Sequence, residues 1–174
     1  AFGSFAQQGG SVTAIGGNIN GNYTSTGLYV YGGTVTAQDG TLTATGGDTS
    51  GSSYGISMSS SSSVTVGSAT VTVTGGTGNY SYGLYVNPSS PSVSPSVTLS
   101  GSGSLTARSG SGTDTAVGIY LNNIWSSTGS VTVGDNSTLL ANSVILHDNS
   151  FIEKPLAPTG NGSWLIYGQS DQPS

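Results

Sequence analysis

The chain has 174 residues, of which only 5% are charged, and its two basic and seven acidic side chains give a formal net charge of −5. Arg108 and Lys154 are the only basic residues, which excludes the phosphate-neutralising patch that nucleic acid requires and argues against electrostatic docking on anionic lipid. Cysteine is absent, so disulfides cannot staple a small extracellular core, and no apolar run approaches the 18 residues of a membrane-crossing helix.

Low charge with abundant Gly, Ser and Thr also suits a disordered chain, but disordered chains lack regularly spaced β-branched residues. Here such residues recur from the N-terminus onward. The first short strand is Ser11-Val12-Thr13-Ala14. A Gly/Asn-rich loop (16–26) follows, then Gly27-Leu28-Tyr29-Val30, then a tight turn and Thr34-Val35-Thr36-Ala37. The three types return in the same order. Thr41-Leu42-Thr43-Ala44, Thr70-Val71-Thr72-Val73, Ser104-Leu105-Thr106-Ala107 and, loosely, Thr138-Leu139-Leu140-Ala141 repeat the first. Gly55-Ile56-Ser57-Met58, Gly83-Leu84-Tyr85-Val86, Gly118-Ile119-Tyr120-Leu121 and a degenerate Ser143-Val144-Ile145-Leu146 repeat the second. Ser63-Val64-Thr65-Val66, Ser96-Val97-Thr98-Leu99 and Ser130-Val131-Thr132-Val133 repeat the third.

Each strand alternates apolar with Ser, Thr or Tyr, the period of a strand with one buried face. Strands 3–5 residues long with no intervening helix also suit a sandwich. The fixed order of three types, each with its own column of residues, favours a solenoid in which like positions stack about 4.8 Å apart. The predicted fold is all-β: a right-handed single-stranded parallel β-helix of about five coils, three short strands per coil, with a C-terminal cap. Val12, Leu42, Val71, Leu105 and Leu139 form one predicted inward column. Leu28, Ile56, Leu84, Ile119 and Val144 form another, with the smaller Ala14, Ala44, Val73, Ala107 and Ala141 lining a narrow corner.

Loops at 16–26, 46–53, 75–81 and 109–115 fall at one corner of every coil. They stack into a flank carrying Asn22, Tyr23, Asp48, Asn79, Tyr80 and Asp114, and solenoids usually place binding surfaces on such a flank. A second corner is enlarged where 87–95, with Pro88, Pro91 and Pro95, precedes 122–127, with Trp125; a hydrophobic lid is the simpler reading and a binding subsite the other. The fifth coil places Leu140 and Ile145 where earlier coils have outward Thr and Tyr, so something must cover them. The tail, with Phe151-Ile152 and Ser163-Trp164-Leu165-Ile166-Tyr167, is the expected cover, because an open solenoid end is a sticky sheet edge. Coils are therefore assigned to 1–141, and the last irregular coil with its cap or junction to 142–174. The absence of Met at Ala1 and the repeat-like start suggest a processed product or a fragment.

Coils of Gly-Gly-x-Val-Thr-Ala with Tyr-Gly-Ile/Leu strands resemble the β-helical passenger regions of bacterial surface adhesins and exoproteins, of the autotransporter and filamentous-haemagglutinin-like kinds. The coil resemblance spans roughly 10–141, and the end segment, Phe151-Ile152 followed by Gly162-Ser163-Trp164-Leu165-Ile166-Tyr167, resembles a segment near the end of β-helical regions in haemagglutinin-like exoproteins. The resemblance implies secretion, an extracellular or cell-surface location, a stalk and roles in adhesion; it supplies no catalytic residue.

Enzymatic β-helices need clustered carboxylates beside Arg or Lys. The acids here, Asp39, Asp48, Asp114, Asp135, Asp148, Glu153 and Asp171, stand mostly singly in turns. Asp48 and Asp114 share a flank with a coil between them. Gly46-Gly47-Asp48 is a fragment of a calcium repeat without its full spacing. His147 and Asp148 are neighbours on opposite strand faces. The expectation is no enzyme, no cofactor and no metal.

Tyr29, Tyr85 and Tyr120, interrupted by Ser57, form an outward column that could stack on sugar faces or stabilise the sheet. Thr13, Thr43, Thr72 and Thr106 form an outward ladder of the kind seen on ice-binding faces, although Thr favours strands for its own reasons. Four Asn-x-Ser/Thr triplets, at Asn22, Asn79, Asn136 and Asn161, fit the glycosylation pattern. The first reading is a non-catalytic adhesin or exoprotein segment, a stalk flanked by neighbouring domains. Its recognition residues would be Tyr29, Tyr85, Tyr120, Asn22, Tyr23, Asn79, Tyr80 and Trp125, and its partner a host or bacterial surface glycan or protein. The second is a carbohydrate-binding module of a larger extracellular protein; the third is an ice-binding β-helix.

Overall fold

The computed structural model describes residues 3–60, 63–88, 90, 93–124, 128–148, 150 and 152–168. They form three sheets that wind around one apolar axis as a right-handed parallel β-helix, the crossover sense that parallel β-units take. The first sheet stacks β1 (Phe5–Gln7), β4 (Thr34–Ala37), β7 (Ser63–Val66), β10 (Ser96–Leu99) and β13 (Ser130–Val133). The second stacks β2 (Ser11–Ile15), β5 (Thr41–Thr45), β8 (Thr70–Thr74), β11 (Ser104–Arg108), β14 (Thr138–Ala141) and β17 (Ser163–Ile166). The third stacks β3 (Ser25–Tyr31), β6 (Ser52–Ser59), β9 (Gly78–Asn87), β12 (Gly112–Asn122), β15 (Val144–His147) and β16 (Glu153–Pro155). Five strand triplets lie one above another, about four turns from first to last.

The predicted inward columns stand in register. Val12 pairs with Leu42, Leu42 with Val71, Val71 with Leu105 and Leu105 with Leu139. Leu28, Ile56, Leu84, Ile119 and Val144 do the same in the third sheet, at steps of 28, 28, 35 and 25 residues. Period-two alternation points these side chains at the axis, and Leu42, Ile56, Leu84, Leu105, Ile119 and Leu139 are buried there. Burying such a side chain contributes roughly 1.5–3 kcal/mol, so the columns are the principal source of stability in a chain without disulfides.

The third sheet departs from the expected short strands. β3, β6, β9 and β12 are 7, 8, 10 and 11 residues long. Residues assigned to loops continue the ladder, and the strand bends at Gly27, Gly55, Gly83 and Gly118 rather than starting there. At each bend the third sheet crosses close over the second. A Cβ on Gly55 would lie 2.7 Å from Gly83 O and Thr74 N and 2.8 Å from Ala44 O, all backbone atoms that cannot yield. Only glycine permits that crossing.

Serine secures the same corner. Ser25 Oγ donates to Gly17 O (2.8 Å) and accepts from Gly47 N–H of the next turn (2.9 Å). Ser53 Oγ donates to Gly47 O and accepts from Gly76 N–H (both 2.8 Å). Ser81 Oγ donates to Gly76 O (2.7 Å) and accepts from Gly110 N–H (2.8 Å). Each buried hydroxyl therefore joins its own turn to the one above. Ala116 pairs with Ser81 and ends the column. In the last turn the Asn142 side chain takes over, accepting from Ser109 N–H (3.0 Å) and donating to Ser109 Oγ (2.9 Å).

The connections from the second to the third sheet shorten along the chain: nine residues (16–24), six (46–51), three (75–77), three (109–111) and two (142–143). The looped flank is thus deep at the N-terminal end and nearly flush at the other.

The C-terminal end is built differently. β16 pairs antiparallel with β15, placing Pro155 opposite Ile145 and Glu153 opposite His147. The hairpin is held by Asp148, whose carboxylate accepts from Ser150 N–H (3.0 Å), Ser150 Oγ and Lys154 Nζ. Thr159 crosses the free edge of the first sheet, donating from its N–H to Val131 O (2.9 Å) and accepting from Val133 N–H (2.8 Å). β17 alone continues its sheet in parallel, with Leu165 beside Leu140 and Trp164 beside Leu139. Leu140 and Ile145 are half-buried beside their strand partners, whereas Trp164, Leu165 and Ile166 remain exposed.

Candidate recognition surface

The outward face of the third sheet carries two ranks of side chains, one on each side of the glycine bend. Thr26, Tyr54, Tyr82 and Val117 form the first rank. Tyr29, Ser57, Tyr85, Tyr120 and Ile145 form the second. The two ranks close on each other. Tyr54 and Tyr82 stack with ring centroids 5.3 Å apart and planes 10° apart; Tyr85 and Tyr120 stack at 5.6 Å and 13°. Tyr54 also lies 5.1 Å from Tyr85, and Tyr82 lies 5.2 Å edge-on to Tyr120. Ser57, which interrupts the predicted column, is buried between its register neighbours Tyr29 and Tyr85.

Polar partners fix the rim of this cluster. Asn122 Nδ2 donates to Tyr85 OH (2.9 Å) and Asn87 Oδ1 (3.3 Å). Tyr120 OH donates to Glu153 Oε1 (2.7 Å), and the His147 ring meets Tyr120 edge-on at 6.3 Å. Burial pushes all four hydroxyls above the ordinary tyrosine value; for Tyr120 the Glu153 carboxylate adds to burial, favouring the neutral, donating phenol. Asp148 is shifted the other way, held well below the usual carboxylate range by Lys154 and then Ser150.

The predicted tyrosine column is therefore divided. Tyr85 is half-buried, and Tyr120, only 5% exposed, is covered. The open ladder expected there is instead an apolar patch on the outside of the sheet, completed by Tyr54, Tyr82 and Val117. Tyr54 and Tyr82 stand just before a bend glycine, between the expected loop and the expected strand, so alternation counted from the glycine misses them. Tyr29, two turns away, is 43% exposed, and Tyr31, on the same face of β3, is 46% exposed.

The looped flank gathers at the N-terminal end. Asn22 and Tyr23 lie exposed in the longest loop, Tyr23 at 67%. The second loop clamps the first: Ile19 N–H donates to Asp48 O (2.8 Å), and Asp48 N–H to Asn18 Oδ1 (2.9 Å). Thr49 Oγ1 donates to Gly21 O (3.0 Å) or Tyr23 O (2.7 Å). Asp48 Oδ1 accepts from Thr77 N–H one turn further on (3.0 Å). Asn18, Ile19, Asn20, Gly21, Asp48, Thr49 and Ser50 line a cleft of about 340 Å³ between these loops. Asn79 and Tyr80 sit two turns along, in β9 rather than in a loop. Asn79 Oδ1 accepts from Thr113 Oγ1 (3.1 Å), and Tyr80 is exposed. Trp125, Pro91 and Phe151 lie outside the described residues, as does Asp171.

The Thr13, Thr43, Thr72 and Thr106 ladder is in register. Among the described residues no three His, Asp or Glu side chains come together as a metal site. A second cavity, of about 490 Å³, opens at the C-terminal end between β15 and β17, lined mainly by Val144, Ile145, Pro155, Leu156, Ile166 and Tyr167. No family model, curated protein or solved structure matches this chain.

Proposed function

We propose that this chain is a non-catalytic segment of a secreted or cell-surface bacterial adhesin or exoprotein, in which the solenoid is a stalk between neighbouring domains and its N-terminal end meets a surface glycan or protein. The observation that supports this reading is the division of the tyrosines. Tyr54, Tyr82, Tyr85 and Tyr120 are packed against one another. Tyr29 and Tyr31, alternate residues near the C-terminal end of β3, turn large ring areas to solvent in the same N-terminal turn whose corner loop is the longest. Aromatic side chains exposed together supply contact area at low entropic cost to a ligand.

Beads coated with the chain, applied to host-cell and bacterial-cell layers, test the reading. The wild type should adhere, and Tyr29→Ala/Tyr31→Ala should adhere at least tenfold less with its thermal transition unchanged. Equal adhesion by the variant, or none by the wild type, refutes it. The second reading, a carbohydrate-binding module of a larger extracellular protein, is favoured by the polar cleft beside Tyr23.

A further inference from the structure

We infer that the cleft between the first and second corner loops binds a neutral saccharide of about one hexose ring; this rests on the recognition reading above and names its ligand. At about 340 Å³ the cleft is among the smaller ligand sites in volume, which start at roughly 300 Å³. Its walls present the chemistry that a ring of hydroxyls requires. Asp48 uses Oδ1 for Thr77 N–H, leaving Oδ2 to accept from sugar hydroxyls in charge-assisted bonds. Asn18 uses Oδ1 for Asp48 N–H, leaving its two Nδ2 hydrogens as donors. Asn20 and Ser50, both exposed on the lining, add an amide and a hydroxyl. The Tyr23 ring lies against Gly21, close enough that a Cβ there would meet Cε2 at 3.0 Å, and it offers an apolar face at the rim.

Charge narrows the ligand. Asp48 is the only ionic side chain of the lining, and Arg108 and Lys154 belong to β11 and β16, turns away. A sulfated or sialylated sugar would meet an anion and no cation. A bare divalent cation would find one carboxylate with half its oxygens already engaged. A neutral polyol meets neither difficulty. The bonds from Asp48, Thr49 and Ser50 to the first loop also fix the cleft before a ligand arrives, which spares it the cost of ordering a loop.

Saturation-transfer NMR and amide titrations with methyl glycosides of glucose, galactose, mannose and N-acetylglucosamine test the inference, with calcium chloride alone as a separate arm. At least one glycoside should bind, shifting amides of 18–23 and 48–50. Asp48→Asn keeps an oxygen for Thr77 N–H, so the loop should persist while affinity falls about tenfold or more, as expected for a lost charged hydrogen bond. Tyr23→Ala should weaken binding as much. Silence from all four sugars, undiminished binding by the Asp48 and Tyr23 variants, or a response to calcium alone overturns the inference. Bead adhesion that persists in both cleft variants removes the saccharide site while the adhesin reading stands.

Discussion

Ser53 is fully buried, yet its hydroxyl both donates and accepts across a turn boundary. Ser53→Ala leaves Gly47 O and Gly76 N–H without that partner in a corner that glycine has closed to water. Orphaning a buried polar group costs about 1–3 kcal/mol, so urea denaturation should show a loss in that range with an unchanged slope. Leu42 and Ile56 were legible in the sequence because a stacked position must suit its own copies, and a column of aliphatic residues repeats visibly. Ser25, Ser53 and Ser81 repeat as regularly, but Ser in a chain rich in Ser reads as loop. Their role depends on a glycine carbonyl and a glycine N–H from different turns, contacts that only the wound chain creates.

At the scale of the element, the third sheet is the part that sequence described least well. Gly55 and Gly83 bend strands that continue through them, so alternation counted from the glycine places Tyr85 and Tyr120 outward and overlooks Tyr54 and Tyr82. Tyr120 is then covered by an antiparallel hairpin whose Glu153 is 33 residues away. The four packed tyrosines carry a pH signature. Burial raises their folded values above the unfolded value of about 10, so the folded chain holds these protons more tightly than the unfolded chain. Their contribution is complete below about pH 10 and is lost as pH rises through the folded values. Urea midpoints should stay level from neutrality to about pH 10 and then fall. Tyr82→Phe should make the fall shallower. A midpoint indifferent to alkali would show that the cluster is open to solvent.

The body of coils is close to one-dimensional: among the described residues the strands of each turn pair with those of the turns above and below. The columns, the glycine bends and the serine bonds are all nearest-neighbour devices, so stability is distributed along the axis rather than concentrated in one centre. The two ends differ. At one end β1, β2 and β3 are the outermost described strands of the three sheets. At the other, an antiparallel strand ending in Pro155 and the crossing at Thr159 cover two of the three edges. At this end the first and third sheets gain no further parallel strand among the described residues, whereas the second does through β17. That asymmetry was only half visible in the sequence. The outward Leu140 and Ile145 signalled a change at the fifth triplet, but the reversal of strand direction depends on Asp148, Ser150 and Lys154 meeting in space.

The unequal steps between register partners also determine how the rod would yield under tension. The chain runs around the axis, so pulling its two ends apart loads the ladder bonds one turn at a time, as a zipper is loaded. Each released turn frees 25, 28 or 35 residues of slack, which is about 8–12 nm of extended chain. A force–extension trace should be a staircase of modest, unequally spaced ruptures, with the longest step from the turn that carries the proline-rich insertion. A single tall rupture releasing the whole length would contradict it. A rod of this kind would lengthen severalfold while dissipating load in small instalments, the behaviour of a shock absorber rather than of a rigid strut.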